Sequence, residues 1–322
     1  MIAYLVRRLL FGAVTVVGVL LLLFVLFFLV ATPDDVARKA LGEKALPEAL
    51  AQWKTTHGYD RPRVWNPGRP LDTMLADHFR RMLTFDFGRS DADGTPIRDR
   101  LRSGVGPSLA LTVPMFAIGV TLAIAVALLT AFLHDTYVDR SVLVLSVLLM
   151  SVSILLYIIG GQYVVGKVLR WFPISGFDPA PAVIARFLAL PLLIGVTAHL
   201  GQEVRFYRTL FLEERGRDYV RTAFAKGCGP ALAMRRHVLR NALIPILTDV
   251  VIEIPFLFTG SILLESFFGI PGLGTVTVEA INNNDFATLR VMVYIGALLF
   301  IAGQIATDVA YTLVDPRVRL GA

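Results

Sequence analysis

Long apolar blocks alternate with polar stretches along this chain. The apolar runs cover positions 9–31, 109–133, 141–169, 183–200, 244–265 and 290–313. A hydrocarbon core of about 30 Å is crossed by roughly 20 helical residues rising about 1.5 Å each. Each block therefore predicts a membrane-crossing helix, and the fold class is an all-α integral membrane protein of about six transmembrane helices. The one long polar interruption, 32–106, is rich in Asp, Arg, Pro and Gly and carries amphipathic pieces at 47–57 and 71–83. Its mixed charges lack the single-sign bias of a disordered tail, so it predicts a small folded extramembrane region between the first two helices.

The first block follows Arg7 and Arg8, the charge order of a signal peptide, but it is longer than the roughly 7 to 15 residues of a signal core. It also ends in Thr32-Pro33-Asp34-Asp35, where small residues would precede cleavage. The expectation is an uncleaved first span with the N-terminus in the cytoplasm. Six spans put both ends on one side. The stretch from Gly201 to Asn241 carries nine Lys/Arg against four acids, Glu203, Glu213, Glu214 and Asp218. By the positive-inside bias it is expected to be cytoplasmic, which places 32–106, 171–181 and 267–288 outside. The thirteen basic residues of 32–106 do not oppose this, because long loops escape the charge rule.

Composition narrows the functional classes. Of 322 residues, 55% are hydrophobic and 17% charged, against about 25% charged in soluble domains, and mean hydropathy is +0.66. The net charge of +6 sits between apolar blocks without an aromatic RNA-reading motif, which argues for membrane orientation and against nucleic acid. Cys228 is the sole cysteine, so no intramolecular disulfide can form. His57, His78, His134, His199 and His237 are scattered without HExxH spacing, and no GxxxxGK[ST] loop exists to cradle a nucleotide. No residue is assigned a catalytic or metal-binding role.

The most informative stretch is Asp218-Tyr-Val-Arg-Thr-Ala-Phe-Ala-Lys-Gly227, followed by 235–245, which ends at Pro245. Val220, Ala223, Phe224 and Gly227 recur at helical spacing, and Gly227-Cys228-Gly229-Pro230 breaks the helix. Small residues on one face allow close docking in a partner's groove, although a surface helix among lipid headgroups has the same composition.

This stretch resembles the EAA loop of binding-protein-dependent ABC permeases, in the form used by the dipeptide and oligopeptide permease family. Arg221-Thr222-Ala223, Gly227 and Pro245 carry the likeness. Arg221 stands where the general signature has Glu, and the spacing from Gly227 to Pro245 is that of the peptide branch rather than of sugar permeases. Further similarities run along the chain in order: 1–10, Gly58-Tyr-Asp-Arg-Pro62, Phe85-Asp-Phe-Gly-Arg-Ser90, Pro96-Ile97, Trp171-Phe-Pro-Ile-Ser-Gly176, Glu265 to Gly274, and Asp308 through Tyr311 to Asp315-Pro-Arg317.

The resemblance implies a type I ABC importer permease fold in the bacterial inner (cytoplasmic) membrane. Its parts are an N-terminal helix 1–31, an extracytoplasmic region 32–106, and a permease core 107–322 containing a cytoplasmic coupling loop, 201–243. It implies a second, related permease subunit, two ATPase subunits that hold ATP and Mg, and an extracytoplasmic solute-binding protein, with no cofactor on this chain. It implies ATPase-coupling roles for Tyr219, Arg221, Thr222, Ala223, Ala225, Lys226 and Gly227, and cargo of short peptides or related small solutes moved by alternating access. Nickel chelates, glutathione and cell-wall peptides remain open within the same class.

Carboxylates in apolar blocks are costly, roughly 2.5 to 3.5 kcal/mol near a helix centre, and invite explanation. Asp249, Glu253, Glu265 and Asp308 are such residues. Glu265 and Asp308 match family positions and suit helix packing or a gate. Asp249 and Glu253 fall four apart on one helix face. They are expected either to line a pathway for cationic groups, with Glu265 as a further candidate, or to be satisfied by a neighbouring helix. An ion-gradient-driven secondary transporter would use the same acids as a relay, but would leave the basic loop without a purpose.

Overall fold

The computed structural model describes residues 2–30, 33–42, 45–57, 59–69, 71–180, 183–258 and 260–314, with 2–5, 33, 35, 40, 57 and 309–314 described by backbone alone. Gly58 and Asp315-Pro316-Arg317, two of the resembling pieces, lie outside the described residues. Among the described residues the elements are helices, and strand-like pairing is limited to an isolated antiparallel bridge between Arg89 and Pro96. The protein is an all-α membrane protein. Four helices are each long and apolar enough to cross a bilayer, and two bent pairs bring the number to six if each pair crosses as one span.

The chain divides into two compact units, Met1–Gly106 with Pro271–Ile305, and Pro107–Ile270 with the chain from Ala306. In the first unit, α1 (Ile2–Phe24) continues in wide π-turns through Val30. Leu20, Leu23, Phe24, Phe27 and Phe28 recur at helical spacing and are buried, whereas Leu21, Leu22, Val25 and Leu26 between them are exposed. Exposed apolar flanks of this kind suit lipid, and the buried stripe provides a packing face. Short helices α2 (Pro33–Leu41), α3 (Pro47–His57) and α4 (Met74–Leu83) contribute Val36, Trp53 and Met82 to the core that includes this stripe, and Tyr59 beyond α3 joins them. α4 starts where the Thr73 hydroxyl accepts from the Ala76 amide at 3.1 Å, and it turns Met74, His78 and Met82 inward at fourfold spacing.

The loop after α4, which holds Phe85 to Ser90, is held by a distant residue. Buried Asp285 accepts from Ser90 Oγ at 2.5 Å and from the Asp91 amide at 3.0 Å. It also accepts from the Thr288 amide and hydroxyl at 3.0 and 2.6 Å, and so caps the last helix while clamping a loop almost two hundred positions away. Asp91 returns the tie by accepting from the Ala287 amide at 2.9 Å. The resembling pieces 85–90 and 96–97 thus belong to one hydrogen-bonded corner.

α5 (Ile97–Phe132) leads from the first unit into the second. The expected third span, 141–169, is two helices, α6 (Tyr137–Ser151) and α7 (Ile154–Gly161, continuing in π-turns to Val168), bent by 90°. The break has a local cause. Val152 is extended at φ −92, ψ 128, β-branched and flanked by serines, and the Ser151 hydroxyl turns back to the Val147 carbonyl at 2.7 Å. α8 (Ile184–Arg215) does not stop at Leu200, where the apolar block ends, but runs on through Gly201, after which no Gly or Pro occurs before Gly216. At Gly201 it approaches α6 so closely that a Cβ would lie 2.5 Å from the Ser146 carbonyl oxygen. The stretch expected to be one loop, 201–243, is therefore the lower half of α8, then α9 (Asp218–Ala225), α10 (Pro230–Ala233) and, after π-turns at Met234–Val238, the start of α11 (Leu239–Leu257). The expected fifth span is likewise broken, since α11 is followed by α12 (Ile262–Phe268) at 47°, with Pro255 and Gly260 (φ +76) near the bend. α13 (Leu273–Asn282) and α14 (Phe286–Val314) complete the chain. The piece around Trp171, expected to be external, is stitched to α12, as Gly176 N donates to Phe268 O at 2.7 Å, and Gln162 before it donates Nε2 to Phe267 O at 2.9 Å.

Candidate functional site

Two places in the second unit collect the residues singled out from sequence. The first is the segment after α8. α8 ends at Gly216, whose amide donates to Leu212 and Glu213 carbonyls, and extended Arg217 starts α9. The end of α8 is tied to its neighbours by cations. Arg215 Nη1 donates to the Ala131 carbonyl near the end of α5 at 2.7 Å. Two turns earlier, Arg208 grips Asp139 with Nε and Nη2, both at 2.7 Å, and Asp139 also holds the Asp135 amide at 3.1 Å. Paired forks of this kind fix direction as well as distance.

α9 presents two unlike faces. Val220 is fully buried and Ala223 is 8% exposed, and Val220 packs into a core with Val204, Phe211, Met234 and Val238. Tyr219, Arg221, Thr222, Phe224, Ala225, Lys226 and Gly227 are exposed. Of the predicted docking face, Ala223 therefore turns inward and Phe224 outward. Gly227 has φ +82; its amide donates to Phe224 O at 2.9 Å and the Cys228 amide donates to Ala223 O at 3.0 Å. That is a Schellman cap, so the glycine at this point of the motif ends the helix and leaves its outer face free. Tyr219 is steadied by a hydrogen bond to Glu214, and burial together with that bond raises its pKa above the ordinary tyrosine value.

The second place is a cavity of about 400 Å³ lined by residues of α5, α8 and α11, including Thr112, Phe116, His199, Glu203, Glu253 and Phe256. His199, Glu203 and Tyr207 fall on one face of α8, and Asp249 and Glu253 on one face of α11. Tyr207 donates to Asp249 Oδ2 at 3.1 Å, joining the two helices, and Glu203 lies in electrostatic reach of both Glu253 and Asp249. Glu203 Oε2 is buried and has no hydrogen-bond partner among the described residues. The arrangement sets Glu203 and Glu253 in the wall of a mainly apolar hollow, with Asp249 within electrostatic reach of Glu203, the chemistry that receives an ammonium group. Glu265, the other pathway candidate, is fully buried and accepts from Ser108 Oγ at 2.8 Å and the Ser261 amide at 3.0 Å. Its contacts join α12 to α5 beside the cavity.

Sequence reasoning did not single out Glu203, His199 or Tyr207. Glu203 had been counted among the acids of a loop because the apolar block stops at Leu200. The available signal was the run from Gln202 to Arg215, free of Gly and Pro, which carries the helical face of His199 two further turns. Among the described residues there is no cluster of three or more His, Cys, Asp and Glu able to hold a metal ion.

Residues 119–320 match the family described as binding-protein-dependent transport system inner membrane component, and residues 1–78 match the N-terminal domain of such membrane components. A putative peptide transport system permease protein of Brucella abortus is 31% identical over 309 residues, covering 94% of this chain and 96% of the relative. A probable peptide ABC transporter permease protein of Sinorhizobium fredii is 28% identical over 329 residues, covering 98% and 99%. A dipeptide transport system permease protein of Alkalihalophilus pseudofirmus is 26% identical over 342 residues, covering 99% and 100%.

Proposed function

The chain belongs to the family of binding-protein-dependent transport system inner membrane components and is an ABC importer permease, a transport subunit and not itself an enzyme, and we propose that it carries short peptides inward by alternating access. The observation that carries the cargo reading is the meeting of Glu203 and Glu253 at one cavity between α8 and α11, with Asp249 within electrostatic reach of Glu203, which supports recognition of a peptide's free amine. The names of the relatives point to the same cargo.

In this reading two separate ATPase subunits hold ATP and Mg, a second, related permease completes the passage, and an extracytoplasmic solute-binding protein delivers the peptide. Both termini and α9 face the cytoplasm. The outward face of α9, with Tyr219, Arg221, Thr222, Phe224, Ala225 and Lys226, docks on an ATPase, while Val220 and Ala223 anchor the helix to the permease and Gly227 caps it. Closure of the ATPases on nucleotide then biases a rigid-body exchange between outward and inward openings.

The test is ATP-driven uptake of a labelled dipeptide into vesicles holding the chain and its partner subunits. Phe224→Asp leaves insertion at the normal level, because Phe224 is exposed, and lowers uptake at least tenfold. Uptake that needs no nucleotide and follows an imposed ion gradient would overturn the proposal.

A further inference from the structure

The first unit contains a cavity of its own, about 400 Å³, bounded by the end of α1, α3, α4, the loop 87–94 and the start of α14. Four arginines line it, Arg61, Arg81, Arg89 and Arg290, against two acids, Asp77 and Asp91. The acids are already engaged. Asp77 holds Arg81 at 2.8 Å and Arg61 at 3.8 Å, and Asp91 accepts the Ala287 amide at 2.9 Å. His78 does not add a charge, since burial in the aromatic cluster and the neighbouring Arg290 push its pKa down to about 4.

Arg290 is the key group. Its guanidinium lies 4.8 Å over the Phe28 ring, and it shares a hydrogen bond with Tyr59. Its Nε is buried, with no hydrogen-bond partner among the described residues. A buried N–H donor without an acceptor costs free energy, and more so on a charged group. The surplus of two positive charges in an enclosed wall also attracts an anion, and a guanidinium fork matches the two oxygens of a carboxylate. The volume suits a molecule of one or two amino-acid residues.

We propose that this cavity is a binding site for a small carboxylate, with Arg290 as the principal anchor and Arg89 at the exposed rim. The site is independent of the cargo and coupling proposal, and its test needs no ATPase. Trp53 stacks on Tyr59 at 5.5 Å and serves as a local reporter. With Trp65→Phe and Trp171→Phe, both at exposed positions, the emission of the full chain in lipid nanodiscs reports Trp53 alone. The probe is N-acetylalanine, whose blocked amine gives it nothing to offer the acidic cavity, and its control is N-acetylalanine amide.

The expected result is a saturable emission change with N-acetylalanine, at least tenfold weaker binding of the amide, and at least tenfold weaker binding in Arg290→Gln. Arg89→Gln, at an exposed position, weakens binding at least threefold, and Asp249→Asn leaves it unchanged. Inorganic phosphate competes only at tenfold excess or more. Equal binding of acid and amide, or binding unchanged in both arginine variants, would overturn the site, and phosphate binding tenfold tighter than N-acetylalanine would overturn its assignment to carboxylates.

Discussion

Asp285 in the first unit and Glu203 in the second are both carboxylates in a largely apolar chain, yet their surroundings are opposite. Asp285 receives four hydrogen bonds, from Ser90, Asp91 and Thr288, and Arg100 stands 3.6 Å away. Glu203 has a buried oxygen without a partner among the described residues, faces Asp249 and Glu253, and borders a cavity. A saturated carboxylate is a fastener, because its oxygens have no capacity left for a ligand. An unsaturated one that faces other carboxylates stores a cost that a visiting cation relieves. Glu265, held by Ser108 and Ser261, belongs with the fasteners although it lies in the same unit as Glu203.

The largest effect expected from this contrast is on stability. Asp285→Ala removes the acceptor of four bonds, while Arg100 keeps its pairing with Asp93, and should cost about 3 to 5 kcal/mol, because the donors it orphans at buried Ser90 and Thr288 cost roughly 1 to 3 kcal/mol each. Denaturant unfolding in detergent micelles measures it, and a loss below about 1 kcal/mol would show that the clamp is not a fastener.

His78 stands between the extremes, since Nε2 meets the Leu20 carbonyl at 3.1 Å while Nδ1 is buried without a partner among the described residues. Its folded pKa of about 4 lies below the ordinary 6.5, so the unfolded chain takes up the proton first. Stability is therefore full above pH 6.5 and falls as pH drops from 6.5 to 4, by about 3 kcal/mol from this residue. His78→Phe should flatten that slope in thermal melts between those limits, and an unchanged slope would assign it to other groups.

The smallest stability change belongs to the cavity acids. Glu203→Gln with Glu253→Gln should leave the unfolding midpoint nearly fixed, within about 0.5 kcal/mol, while lowering uptake of a free-amine dipeptide about tenfold. If the double variant instead lost as much stability as Asp285→Ala, the contrast between the two carboxylate environments would collapse.

Element class was legible in the apolar blocks, because crossing a bilayer requires long uninterrupted helices. The breaks were less so. Val152 between two serines ends a helix without Gly or Pro, and the polar half of α8 continues a span that hydropathy terminates at Leu200. The α9 segment was recognisable, but which of its residues face inward depends on a core assembled from α5, α8 and α11. The link from Ser90 to Asp285 spans 195 positions and has no local signature at either end. Glu203 was visible as a residue and hidden as a member of the site, because its partners sit on another helix.

The close approach at Gly201 gives α8 a mechanical character. Helix α8 lies so close to the α6 main chain at this point that a side chain at residue 201 would collide with it. From there it runs as one unbroken rod to Arg215, about 18 Å beyond Glu203 at about 1.5 Å per residue. Between α9 and Glu203 the chain has one joint, at Gly216 and Arg217. A push on α9 thus travels along a stiff lever whose fulcrum is a single hydrogen atom, the one that takes the place of a side chain at residue 201.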